Sequence, residues 1–329
     1  MFLPLTQQPN KLSTNTIITT MKKNIVLIAL LTASLAVNAQ NGAKKPTSAA
    51  DSLMNAMNAT NDKPMPVAIF KSTRLVLSQT TEMVKKNEFN FQIIHRFGDI
   101  AGHDGGGQTA FGIDRVNDVF FGFEYGVSDN FNIDLGRSTI GQLVQLELKW
   151  ALMHQTTDGS SPFAVTLVGE AGAKPYQAGQ FPTFSSRLSY FGQAIIARKF
   201  SQDISLQVAP SYVRDNTPFP NLPGNEQSFF ALQGSARVRL TNHTGLIFDY
   251  AHPFSSFRSN TATFADPIGV GYEVETGGHV FTVNITNANS VSEMNMLSNT
   301  QQRFSHGQYR IGFTISRMFD FNPKPKTEK

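Results

Sequence analysis

The chain has 329 residues, no cysteine and a formal net charge of +4 at pH 7. Only 16% of its residues are charged, against roughly 25% in a typical soluble domain. Without cysteine there is no disulfide framework, no covalently attached haem and no thiolate metal site.

The N-terminal stretch reads as an address. Met21, Lys22 and Lys23 open a basic region, Ile25 to Leu35 form an apolar core, and Val37, Asn38 and Ala39 precede a cut that leaves Gln40 first. That apolar run is too short to span a bilayer comfortably, so residues 1–39 are expected to be an upstream extension and a cleaved signal peptide. Their loss removes Lys11, Lys22 and Lys23 and leaves 25 bases against 24 acids. No basic field remains, and nucleic acid is not an expected partner.

Residues 40–68 are small, polar and dotted with methionine, a pattern expected of a flexible periplasmic arm. From Phe70 the character changes. Arg74 to Gln79 reads as a first strand, followed by a turn at Lys85, Lys86 and Asn87. Phe89, Phe91, Ile93 and Phe97 then alternate with Asn90, Gln92 and Arg96. Beyond a glycine-rich loop, Val119, Phe121, Phe123, Tyr125 and Val127 share one face, opposite Asp118, Gly122, Glu124 and Gly126. After a break at Ser128, Asp129 and Asn130 the alternation resumes with Phe131, Ile133 and Leu135 against Asn132, Asp134 and Gly136. Successive side chains of a strand point to opposite faces, so this stretch is a hairpin with one apolar and one polar face. Val144, Leu146, Leu148, Trp150 and Leu152 continue the pattern against Gln145, Glu147, Lys149 and Ala151, and eight further segments run to Phe319.

Thirteen strand-like segments with almost no helical periodicity make the chain all-β. Most connections alternate short and long: turns near Lys85, Asp129, Gln202, His243 and Gly277, loops at 99–113, 173–185, 214–227, 253–267 and 287–307. Membrane barrels have short turns at one rim and longer loops at the other, whereas a sandwich has no reason to sort loops by parity. The expected architecture is a transmembrane antiparallel up-and-down barrel of 12 to 14 strands over residues 69–320, with a polar tail at 321–329. Thirteen is an odd number. Either a strand hides between Pro64 and Ser72, or one segment is not part of the wall.

The polar face carries Arg96, Asp118, Glu124, Asp134, Glu147, Lys149, Glu170, Arg237, Arg239, Asp249 and Arg310. Charges at membrane depth must face water or a partner, so these are the candidate lumen-facing residues. Their mixed signs suit either a narrow wet channel or a salt-bridged, largely filled interior. Phe120, Phe121, Tyr125, Phe131 and Tyr309 are expected in interfacial girdles. The seven histidines show no metal-ligand spacing, and the loop GHDGGGQ (102–108) lacks the Lys-Ser/Thr ending of a phosphate loop. No catalytic, cofactor or metal site is expected.

FKSTRLVLSQTTE, FNFQIIHRFGDI, GIDRVNDVFFGFEYGVSDNFNIDLGRS, GVGYEVETGGHVFTVNITN and YRIGFTISRMF together resemble the DUF5777 family of β-barrel proteins from Bacteroidetes. The resemblance covers residues 66 to 320, and the signal ending in Asn38, Ala39 and Gln40 suits that lineage. It implies an outer-membrane barrel and brings no activity with it. The expected location is the cell outer membrane. The expected partners are its lipid bilayer, the barrel-assembly machinery during insertion, and small solutes passing a charged lumen. The alternative is a non-conducting barrel that anchors or scaffolds a complex.

Overall fold

The structure, a computed structural model, describes residues 64–175, 181–218, 223–260 and 262–322. The signal segment, most of the 40–68 arm and the tail from residue 323 lie outside these.

Twelve strands form the wall: β1 (Glu88–Asp99), β2 (Val116–Ser128), β3 (Phe131–Ser138), β4 (Val144–Met153), β5 (Ala164–Ala173), β6 (Leu188–Lys199), β7 (Ile204–Asp215), β8 (Ser228–Arg239), β9 (Thr244–Phe254), β10 (Ile268–Thr276), β11 (His279–Thr286) and β12 (Arg310–Asp320). Each pairs antiparallel with its sequence neighbours. β1 pairs with β12 from Glu88 opposite Asp320 to Asp99 opposite Arg310, so the sheet closes on itself. Closure removes the two edges that an open sheet would present, which is what lets strands cross a membrane.

Burial alternates strictly along most strands. On β4, Val144, Leu146, Leu148 and Trp150 are exposed while Gln145, Glu147 and Lys149 are buried. The large apolar side chains therefore point outward and the polar ones inward, the reverse of a soluble protein and the arrangement a bilayer requires. No helix among the described residues is long and apolar enough to cross a membrane; the strands do the crossing.

The even strand number places both ends of the wall at the short-turn rim. The length of the 154–163 connection at that rim has a local cause. Thr157 N–H donates to Met65 O at 3.0 Å and Val67 N–H to Gln155 O at 2.8 Å, so this connection pairs with the incoming chain.

The thirteenth segment is not a wall strand. Arg74 to Gln79 forms a tight hairpin inside the barrel, closed by Leu75 N–H to Ser78 O at 2.8 Å and Thr80 N–H to Thr73 O at 2.9 Å. Its alternation is real, but its two faces meet the lumen wall rather than lipid and water. From the opposite rim, the β11–β12 connection folds inward with a short helix, α2 (Glu293–Asn299), while α1 (Ser256–Asn260) caps the β9–β10 connection. Ile69, Phe70, Leu75, Val76 and Leu77 from the first insertion join Ala288, Met294, Met296 and Leu297 from the second in one apolar cluster within the barrel. The lumen is filled from both ends.

Candidate functional site

The wall presents a continuous row of carboxylates to the interior. Glu124 on β2 stands directly opposite Asp134 on β3, Asp134 opposite Glu147 on β4, and Glu147 opposite Glu170 on β5. All four are buried. Like charges directly across a ladder oppose one another; at ~5 Å and an effective dielectric of ~20 each neighbouring ionised pair costs about 3 kcal/mol. Such a row needs positive charge against it.

Arg74 supplies it from the hairpin. Its Nη1 donates to Glu293 Oε1 of α2 at 2.6 Å and its Nη2 lies 3.6 Å from Glu147 Oε2. The guanidinium also sits 5.3 Å from the centroid of the Phe120 ring. Gln79 on the other arm of the hairpin donates to Glu147 at 2.6 Å, and Lys149 Nζ donates to Thr73 O at 3.3 Å. Amides complete the row: Asn90 and Asn132 donate to Glu124, each at 3.1 Å, and Gln145 donates to Glu170 at 3.2 Å. A fixed planar fork between two carboxylates is the geometry in which arginine outperforms lysine.

The opposite wall receives the hairpin tip by shape. Leu77 N–H donates to Asp249 Oδ2 at 2.7 Å, and the Ser78 and Ser235 hydroxyls are 2.8 Å apart. Val76 lies against Gly269 and Gly271 of β10, where an added Cβ would come within 2.6 and 2.9 Å of its methyls. Glycine in a strand interior often marks such an approach.

The remaining predicted residues hold one insertion to the other, or hold the wall. Arg96 donates to Val76 O at 2.8 Å, to Ala288 O at 3.3 Å and to Ser290 O, so it ties hairpin tip to folded-in loop. Asp118 accepts from Val291 N–H at 2.8 Å and from the Ser138 hydroxyl at 2.8 Å. Arg310 pairs with Asp99 and donates to Asn287 O at 3.0 Å. Arg237 pairs with Glu273 at 2.8 Å across β9.

Arg239 departs from the expected placement. It lies at the end of β8 with its side chain 29% exposed, paired with Asp203 of the β6–β7 turn at 2.8 Å. Its parity is that of Arg237, but the strand has already reached the rim. Phe120 departs too. It is fully buried in the barrel rather than in a girdle, because the ring fills the space beneath Arg74 beside Gly136.

Arg74, Gln79, Glu293 and Glu273 were not singled out from sequence. The odd strand count was the available signal for the first two. For Glu293 it was the i, i+3 pair Met294 and Leu297 inside a nominal surface loop.

Cavities at the rims include one of about 600 Å³ beside Glu82 and Met83 at the short-turn end and one of about 390 Å³ beside Lys174 and Asn295 at the long-loop end. Among the described residues no group of His, Asp and Glu is arranged to hold a metal ion. His252 Nδ1 lies 2.9 Å from Asp266 and His103 Nδ1 3.2 Å from Asp104, with no hydrogen bond from either ring to a Ser or Thr hydroxyl among the described residues.

Similar solved structures are barrels. The NanC porin is 8% identical, with a TM-score of 0.43 over 71% of this chain and 100% of that one. The KdgM porin is 7% identical, with a TM-score of 0.40 over 71% and 99%. An outer membrane channel from Pseudomonas putida F1 is 9% identical, with a TM-score of 0.45 over 73% and 98%. No curated protein sequence matches. The family described as a membrane bound beta barrel domain (DUF5777) matches residues 70–319, and with most of its length so matched the chain belongs to that family.

Proposed function

We propose that this protein is an outer-membrane barrel that rests closed and passes small cationic solutes when its lumenal hairpin is displaced. In this reading the short turns and the chain segment at 64–87 face the periplasm, and the long loops face outward. One observation carries it. The positive charge that balances the Glu124–Asp134–Glu147–Glu170 row comes in large part from Arg74, on a segment that is not part of the wall. A purely structural interior gains more from apolar packing than from buried ion pairs. With the hairpin withdrawn, the row faces water as an acidic arc, the kind of lining that favours cations.

A second reading has its own support. The apolar cluster shared by the two insertions suits a permanently filled barrel that anchors a periplasmic or surface complex.

Conductance in a planar bilayer separates the two. The chain has no native cysteine, so a Ser78→Cys/Ser235→Cys pair can lock the hairpin tip to β8 without competing thiols. Cation-selective steps that vanish on oxidation and return on reduction are expected. A folded, heat-modifiable protein that stays silent when reduced, and stays silent with Arg74→Glu, would leave the anchoring reading in place.

A further inference from the structure

The cavity of about 390 Å³ at the long-loop end is framed by three connections of the barrel. Lys174 stands just past the end of β5, Thr217 just past the end of β7, and Asn289, Asn295 and Asn299 belong to the β11–β12 connection. Its size falls within the roughly 300–1,000 Å³ of small-molecule sites.

The formal charges of this cavity cancel. Lys174 Nζ and Asp215 Oδ2 are 2.8 Å apart, both side chains are buried, and no other charged residue among those described lines the space. An ionic ligand would bring a charge that meets no opposite charge free to pair with it, and burying it would be costly. The remaining polar lining is amide and hydroxyl.

Those amides are only partly spent on the protein. Asn295 Nδ2 donates to Ile140 O at 3.2 Å, which holds the side chain in place and leaves Oδ1 unspent. Asn299 Oδ1 accepts from Gln301 Nε2 at 2.5 Å and leaves its own Nδ2 unspent. The Asn289 carbonyl accepts from Asn117 Nδ2 at 2.7 Å, while the Asn289 side-chain amide has no hydrogen-bond partner among the described residues. All three asparagines are partly exposed, so these groups keep their access to solvent. Asn295 and Asn299, four residues apart on α2, share one face of it. Glu293, Met294, Met296 and Leu297 of the same helix are buried in the barrel.

Amide oxygens accept and amide N–H groups donate, and a hydroxyl does both. Unspent donors and acceptors from three amides therefore match a run of neighbouring hydroxyls. Ile140, Phe181 and Pro218 add apolar surface to the same space, which suits the C–H faces of a sugar ring. A few placed polar groups within apolar walls fix the orientation of such a ligand.

We infer that this cavity is a binding site for an uncharged sugar. The Asn289 amide, Asn295 Oδ1 and Asn299 Nδ2 take its hydroxyls, and the closed Lys174–Asp215 pair disfavours charged relatives of the same ring. The site stands whether or not the lumenal hairpin moves.

The test is saturation-transfer NMR on the purified full barrel in lauryldimethylamine oxide, a detergent without a sugar headgroup. Glucose and maltotriose are the probes, and glucosamine and glucuronic acid are their cationic and anionic counterparts. Saturable transfer to glucose or maltotriose is expected, with the charged sugars bound at least tenfold more weakly. Asn289→Ala should weaken binding about fivefold, the loss of amide–hydroxyl bonding. Asn299→Asp keeps the side-chain shape but exchanges the donor for an acceptor. It should weaken binding by a similar factor and leave heat-modifiability intact, which guards against a folding failure. Asn242→Ala, at the short-turn rim, should leave the affinity unchanged. No saturable transfer to either neutral sugar, charged sugars bound as tightly, or an affinity unmoved by both Asn289→Ala and Asn299→Asp overturns the assignment.

Discussion

The two walls of the lumen hold the same hairpin by different physics. On the β2–β5 side the wall is a line of carboxylates, and what holds the hairpin there is charge, concentrated in Arg74. On the β8–β10 side the charges are Asp249 and the mutually paired Arg237 and Glu273, and what holds the tip there is fit, with Val76 seated over Gly269 and Gly271 and Ser78 against Ser235. Charge acts over several ångströms and tolerates displacement; fit is lost within one. In the proposed opening, the acidic wall would draw the hairpin back, while the glycine wall would set where it stops.

Reversing Arg74 should break this arrangement most severely. Arg74→Glu puts a fifth wall-facing acid beside Glu147 and Glu293, and a loss of roughly 5 kcal/mol is expected from uncompensated buried charge. The denaturant midpoint of the refolded barrel measures it, and a change under about 1 kcal/mol would mean that the row is not held by Arg74. Gly271→Val attacks the other wall. A side chain pressed into Val76 should cost about 1–3 kcal/mol by overpacking, and it should raise protease cleavage near residues 76–78, since only an expelled tip is accessible. A variant with the tip still protected would show that the glycines are not its seat.

Asp249→Asn separates charge from fit at the tip itself. The amide oxygen can still accept from Leu77 N–H, so about 1 kcal/mol is expected, well below the effect of Arg74→Glu. Near-equal losses would erase the contrast between the walls.

Glu82 gives the smallest effect. It lies on the incoming chain, outside the strands, where its carboxylate accepts from the N–H groups of Ile69 at 2.8 Å and Phe70 at 3.0 Å. Burial raises its pKa above the ordinary 4.5, against the pull of those N–H groups. A raised folded-state value means that protonation favours the folded form. Its stabilising contribution is present below pH 4.5 and is lost as pH rises through the raised value. Glu82→Gln should flatten stability against pH in that window, and an unchanged slope would clear Glu82 of any part in it.

Most of the wall was legible along the chain because a strand writes its environment into a period of two. Val144 to Trp150 needs no partner to declare which side meets lipid, since alternation alone sorts Leu146 and Leu148 from Glu147 and Lys149. The parity of short and long connections likewise follows from a closed up-and-down sheet. The hairpin was misread for the same reason. Arg74 to Gln79 has the backbone and alternation of a wall strand, and local pattern cannot distinguish lipid from a filled lumen as the surroundings of a face. Arg239 shows the limit of parity, which places a side chain on a face but not at a depth.

The sequence by itself determined an all-β membrane barrel and the alternation of apolar and polar faces along its strands, because these depend on neighbours two residues away. Only the tertiary structure decided that twelve strands close the wall, that Glu124, Asp134, Glu147 and Glu170 stand in one row, and that Arg74 and Glu293 meet across 219 positions of chain. Those facts depend on register between strands and on what occupies the space they enclose, and neither is written in the period of any one strand.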